Sequence, residues 1–300
     1  MLVTSQRHNN QSRPCWLHPF AGGVSGLMME GILHPLDTVR TRMKTDCARF
    51  TSLIGQVKYM YAKEGIKSYL RGFSCTFLGS FVGNAIYFYT YEYCKILLKA
   101  SNSISGQISP FIAGFLAGFA CNTICLPLDV IKARMQIEDT FYGYRNVFDG
   151  MTKMCKNEGF STVIQSCGPV YFALSGLQTG LTFGFYEMSK KGFKHLFKNE
   201  SQSEINIPLS IASSISAASL AAILVNPLDV LVTRKQTISQ NISTVNLMES
   251  IFINEGPKGF MKGVSGSVFY HALASAILFP TYEFLKTVFH IHLSDDNMCK

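Results

Sequence analysis

The chain has 300 residues, 47% of them hydrophobic and 15% charged, with a net charge of +8 and a mean hydropathy of +0.18. Soluble domains carry about 25% charged residues, so this composition is short of the polar surface a soluble protein of this length needs. Lys and Arg are scattered rather than gathered in a patch, which argues against nucleic acid and suits anionic lipid head groups beside apolar spans.

In chain order, residues 1–16 form a polar tail with neither an apolar signal core nor an Arg-rich amphipathic helix, so any targeting is expected to reside in internal segments. Six mostly apolar stretches follow, at 17–43, 74–98, 107–136, 168–190, 208–236 and 264–289, and residues 291–300 form a second tail. Each stretch reaches the roughly 20 residues a helix needs to cross a bilayer. Small residues recur four apart within them, as Gly22 and Gly26, Gly79 and Gly83, or Gly114 and Gly118. Such pairs let helix backbones approach closely in lipid, where no hydrophobic force draws helices together. Nine cysteines include no CxxC pair, and Cys121 and Cys125, four apart on one apolar segment, have the spacing of helix packing rather than of a metal site. No nucleophile–base set, phosphate loop or metal motif appears, so an enzyme is not expected, and neither is a cofactor.

The six stretches fall into three pairs with shared markers. The first, third and fifth contain HPLDTVRTRMK (34–44), LPLDVIKARMQ (126–136) and NPLDVLVTRKQ (226–236). Farther on, each pair has Glu64-Gly65, Glu158-Gly159 or Glu255-Gly256, and the second stretch of each ends in Tyr91-Glu92 with Lys95, Tyr186-Glu187 with Lys190, or Tyr282-Glu283 with Lys286. Three markers in the same order, three times, define a tandem repeat with expected units at 17–100, 101–200 and 201–290.

The markers carry physical consequences. Pro35, Pro127 and Pro227 each remove a backbone donor inside a long helix and favour a bend. The charges one turn on, Asp37 and Arg40, Asp129 and Lys132, and Asp229, are costly if they face lipid, so they are expected to face one another inside the bundle. A ring of interhelix ion pairs can shut a passage, and the Glu/Lys sets at 92/95, 187/190 and 283/286 offer a second ring at the opposite mouth. One solute site between two gates is the general form of alternating access.

On these residues the sequence resembles the mitochondrial carrier family, over about residues 17–290. The resemblance implies an all-α membrane protein: six tilted transmembrane helices in a pseudo-three-fold bundle, with three short matrix helices and both termini on the intermembrane-space side. It implies a monomer in the inner mitochondrial membrane, in contact with lipid such as cardiolipin, moving a small-molecule solute. By position, the matrix gate pairs Asp37 with Lys132 and Asp229 with Arg40, while Val232 fills the slot of Asp129's partner. Gln136 and Gln236 occupy the family's bracing positions and Lys44 the first of them. The loop motif matches at Arg71-Gly72 and Lys262-Gly263 but not at Gln165-Ser166.

The family's solute contacts fall on Gly79, Gly83 and Asn84, on Leu174 and Ser175, and on His271. Glu30, five positions before Pro35 in the apolar run LMMEGILHPL, is an intramembrane carboxylate whose natural partner is a cation. Its spacing, and GSFVGNAIYFYTYEYCK (79–95), are similar to the S-adenosylmethionine carriers of the family, although their Arg-Glu pair is replaced here by Leu174-Ser175. The main expectation is therefore a cationic or zwitterionic solute such as S-adenosylmethionine. The alternatives are a mitoferrin-like metal carrier, to which His34 and His271 point, and a carrier-fold structural subunit without transport.

Overall fold

The helix signals are realised along the whole repeat. In the computed structural model, which describes residues 17–45, 50, 52–100, 109–137, 142–196, 207–238 and 242–288, six long helices alternate with three short ones. Repeat one comprises α1 (Leu17–Lys44), α2 (Leu53–Glu64) and α3 (Phe73–Ala100). Repeat two has α4 (Ser109–Gln136), α5 (Val147–Asn157) and α6 (Phe160–Leu196), and repeat three α7 (Ile207–Thr237), α8 (Thr244–Glu255) and α9 (Val264–Val288). The long helices pack as a ring in chain order, α9 closing against α1, and the ends of α1, α4 and α7 also touch one another. Pro35, Pro127 and Pro227 each lie within a continuous helix.

The outward faces are apolar. Ile32, Phe81, Phe115 and Leu224 are 59%, 65%, 74% and 58% exposed. Side chains of this size spread over long helices would be a liability in water and are ordinary against lipid. Among the described residues, 112–136 and 211–237 are apolar and long enough to cross a membrane by composition alone.

The repeats are not equal. In repeats one and three the short helix ends at a glycine in the left-handed region (Gly65, φ 74°; Gly256, φ 69°) and a 3₁₀ turn follows, over Ile66–Leu70 and Pro257–Met261. A second such glycine, Gly72 (φ 79°) or Gly263 (φ 73°), then starts the next long helix. A Cβ at Gly72 would lie 3.2 Å from the Lys132 carbonyl, and one at Gly263 would lie 2.9 Å from Lys44 Cγ, so backbone conformation and close packing both require glycine. Repeat two keeps the first glycine, Gly159 (φ 80°), but has Ser166 in the second slot. Without the second break the chain runs straight into α6, a 37-residue helix through Pro169 that begins eight residues before the 168–190 stretch expected from the sequence.

Candidate functional site

Asp37, Asp129 and Asp229, two residues beyond the prolines, meet at one end of the bundle around a cavity of about 210 Å³ that also receives Arg40, Lys44, Lys132, Gln136, Tyr171 and Gln236. The side chains meet in an order that the sequence only partly foretells. Lys132 Nζ lies 2.8 Å from Asp37 Oδ2, as expected. Gln136 braces this pair, its Nε2 donating to Asp37 Oδ2 at 3.1 Å.

The second expected pair is rewired. Arg40 does not reach Asp229; its Nε binds Asp37 Oδ1 at 2.7 Å on its own helix. Its guanidinium lies 3.7 Å over the Tyr270 ring, and Nη1 is 3.2 Å from His271 Nε2. Lys44, standing where a bracing glutamine was expected, reaches Asp229 instead. Lys44, one turn below, takes this carboxylate while the arginine is already held by a carboxylate, an aromatic face and an imidazole. Gln236 lines the same cavity but braces no ion pair; its carbonyl accepts from Arg134 Nε at 2.9 Å.

At the third junction Val232 is buried against Val170, Leu231 and Leu247. Asp129 accepts a hydrogen bond from the Tyr171 hydroxyl at 2.7 Å. A phenol donor stands where a cation would. Sequence reasoning missed Tyr171, whose position on α6 no repeat marker identifies.

A deeper layer was also missed, although its signal was present in each motif as an arginine two residues beyond the slot of Arg40, Lys132 or Val232. Arg42, Arg134 and Arg234 are all buried. Each donates Nε to the backbone end of the neighbouring repeat's helix: Arg42 to Gln136 at 2.6 Å, Arg134 to Gln236 at 2.9 Å and Arg234 to Lys44 at 3.0 Å. Each also binds the Glu of its own Glu-Gly marker, Glu64, Glu158 or Glu255. Arg71 and Lys262 add a second cation to Glu64 and Glu255, both at 2.8 Å. Burial opposes ionisation of both carboxylates, yet the flanking cations hold Glu64 below the usual carboxylate range and Glu255 down at about 2. The arginine-to-carbonyl ties run between repeats and join the ends of α1, α4 and α7.

A second cavity, of about 270 Å³, lies between α1, α3 and α4 and shares Asp129, Lys132 and Tyr171 with the first. It gathers four of the expected solute contacts, Glu30, Gly79, Gly83 and Asn84. Glu30 accepts a hydrogen bond from Ser80 across the α1–α3 interface. The remaining contacts lie elsewhere: Leu174 lines the gate cavity, Ser175 Oγ accepts from Asn122 Nδ2 at 3.1 Å, and His271 is engaged by Arg40. Cys121 and Cys125, taken from the sequence as packing residues, line this second cavity.

His34 has a structural role instead of a metal-binding one. Its Nε2 is 3.0 Å from the Arg71 carbonyl and its Nδ1 3.1 Å from Thr76 Oγ1. Asn226, also directly before its proline, donates at 2.9 Å to Phe260 and 3.3 Å to Lys262 carbonyls. Both side chains thus secure the turn ahead of Gly72 and Gly263. Repeat two, with Leu126 at this position, lacks both the polar residue and the turn. Among the described residues no three His, Cys, Asp or Glu side chains converge as metal ligands. The side chains of the opposite ring, Glu92, Lys95, Glu187, Lys190, Glu283 and Lys286, lie outside the described residues.

The family model for mitochondrial carrier proteins matches three times in tandem, over residues 11–102, 105–197 and 203–293. The chain belongs to the mitochondrial carrier family. It is accordingly a carrier of the mitochondrial inner membrane, moving a small solute rather than transforming one. Mitochondrial substrate carrier family protein E of Dictyostelium discoideum is 27% identical over 93% of this chain and 98% of its own length. The mitoferrin of the same organism is 27% identical over 94% and 96%, and mitoferrin-1 of Danio rerio 27% over 90% and 83%. These relatives favour the metal-carrier alternative, and none of them supports S-adenosylmethionine.

Proposed function

We propose that this carrier moves a metal cation, in the manner suggested by its likeness to mitoferrins, with the second cavity as the cargo site. The observation that carries the reading is Glu30: a carboxylate within the membrane-spanning part of α1, in a cavity also bordered by Asp129 and by two cysteine thiols. An intramembrane acid is expensive unless a counter-charge visits it, and a mobile cation is such a counter-charge. S-adenosylmethionine would use the same acid for its sulfonium. It also needs a cationic anchor for its amino-acid carboxylate; Lys132, which lines this cavity, is held by Asp37 at 2.8 Å, and Leu174 and Ser175 offer none.

In this reading the Asp37–Lys132, Arg40 and Lys44–Asp229 contacts form the matrix gate, with the Asp129–Tyr171 hydrogen bond in place of its third ion pair. The sets 92/95, 187/190 and 283/286 form the opposite gate, closing when the first opens. The cargo enters while the arginine ties hold the matrix mouth shut.

The test is uptake by proteoliposomes containing the purified protein, with iron(II), manganese(II) and S-adenosylmethionine each offered as substrate. Metal uptake that falls to the empty-liposome level in Glu30→Gln, with thermal stability retained, is the expected result. Uptake of S-adenosylmethionine but of no metal would reverse the assignment. Uptake of neither, with the protein co-purifying in a membrane complex, would favour a structural subunit.

A further inference from the structure

The cargo cavity owes its open space to three glycines. Cβ atoms built on Gly26 and Gly79 would meet nothing within 4 Å, while one on Gly83 would meet the sulfurs of Cys125 and Cys121, at 3.2 and 3.3 Å. Both thiols therefore point at one spot on α3. Cys125 also donates to the Gly79 carbonyl at 3.8 Å. Cys125 is buried and Cys121 half-buried. Asp129 lies one further turn along α4, so Cys121, Cys125 and Asp129 form a column at helical i, i+4, i+8 spacing. The column runs from the cargo cavity to the gate, because Asp129 lines both cavities.

We propose that Cys121 and Cys125 form a two-thiolate seat for a thiophilic metal ion, with Asp129 receiving the ion on its way to the gate. This rests on the metal-cation reading above and narrows it to soft or borderline ions. Thiolates favour copper(I), zinc and similar ions, whereas magnesium, calcium and manganese take oxygen ligands. When a divalent ion binds, both S–H groups release their protons to cavity water and two metal–sulfur bonds form. The metal's oxidation state is unchanged. A seat of two protein ligands, with the remaining positions left to water, binds weakly enough to release its cargo. That suits a carrier better than the closed four-ligand site of a structural metal.

The probe is cadmium(II), thiophilic and redox-inert. Maleimide labelling of the purified full chain, read by mass spectrometry, should show cadmium protecting Cys121 and Cys125 while Cys155, exposed on α5, still labels. Magnesium at the same concentration should protect none of them. In proteoliposomes, Cys121→Ser and Cys125→Ser should each lower the affinity for cadmium about 10²-fold, since a second tethered ligand gains at least that by effective concentration. Serine variants that carry cadmium like the parent, or protection that extends equally to Cys155, would overturn the seat. The labelling is done on the unaltered protein, so it remains decisive if a variant fails to fold. Protection of the two thiols without uptake of any metal would leave the seat standing and remove the transport reading instead.

Discussion

The closed mouth has two layers of charge, and they obey different rules. The deep layer of Arg42, Arg134 and Arg234 repeats almost unchanged, each arginine joining its own Glu-Gly marker to the helix end of the next repeat. The upper layer, facing the cavity, differs at every junction: an ion pair braced by glutamine, a lysine substituted for an arginine, and a tyrosine substituted for a lysine. The deep layer joins repeat to repeat and has one solution, a fork that satisfies a carboxylate and a carbonyl together. In the proposed alternating access the upper layer breaks during every cycle, so its strength can be tuned contact by contact. Fold lies in the first layer and function in the second.

The largest effect should come from breaking the deep layer. Arg134 holds both oxygens of Glu158, at 2.6 and 2.7 Å, and the Gln236 and Ile238 carbonyls. Arg134→Ala leaves those acceptors buried without a donor and should cost about 3–5 kcal/mol, as breaking one side of a buried ion pair does. Thermal unfolding of the detergent-solubilised protein measures it. Arg134→Lys keeps the charge but not the fork and should recover only part of the loss. A melting temperature unchanged by Arg134→Ala would show that this layer is incidental to closure.

The repeat, the helix pairs and the Asp37–Lys132 contact were legible because each is written in spacing, which maps directly onto helix faces. Lys44 was legible as an oddity but not in its consequence. Whether Arg40 or Lys44 takes Asp229 depends on Tyr270 and His271, more than two hundred residues away in the chain. Tyr171 was invisible because α6 starts early in repeat two, and that start depends on the absent glycine at 166. The two thiols do pack against α3, but that they also line a cavity was not legible, because a four-residue spacing puts residues on one helix face without saying what that face sees. His34 looked like a metal ligand until its resemblance in role to Asn226 showed that both secure a turn.

The upper layer supports a finer test at the third junction. Tyr171→Phe removes the hydrogen bond from the Tyr171 hydroxyl to Asp129 and should destabilise the closed state by about 1.5–3 kcal/mol, the range for a bond to a charged group. If the bond acts as a gate contact, uptake should change while the fold survives. Val232→Lys would supply the missing cation and should tighten closure and slow turnover. In the double variant the lysine should offset the loss of the phenol. Independent, additive effects on turnover would show that Tyr171 and position 232 do not act on the same carboxylate.

The smallest effect is the deep layer's contribution to the dependence of stability on pH. Glu255 sits at about 2 in the folded protein because Arg234 and Lys262 outweigh the burial that opposes its charge, and Glu64 is lowered in the same sense by Arg42 and Arg71. An unfolded glutamate titrates near 4.3. The stabilisation from a depressed carboxylate is therefore complete above about pH 4.3 and fades as the pH falls toward the folded value. Melting temperatures taken from pH 6 down to pH 3 should hold steady and then decline below about pH 4.3. Glu255→Gln should lower the plateau and flatten the decline, because it removes one of the titrating groups and its attraction to two cations. A plateau of the same height in Glu255→Gln would mean that the third deep tie is held by the Arg234 contact with the Lys44 carbonyl and not by its carboxylate.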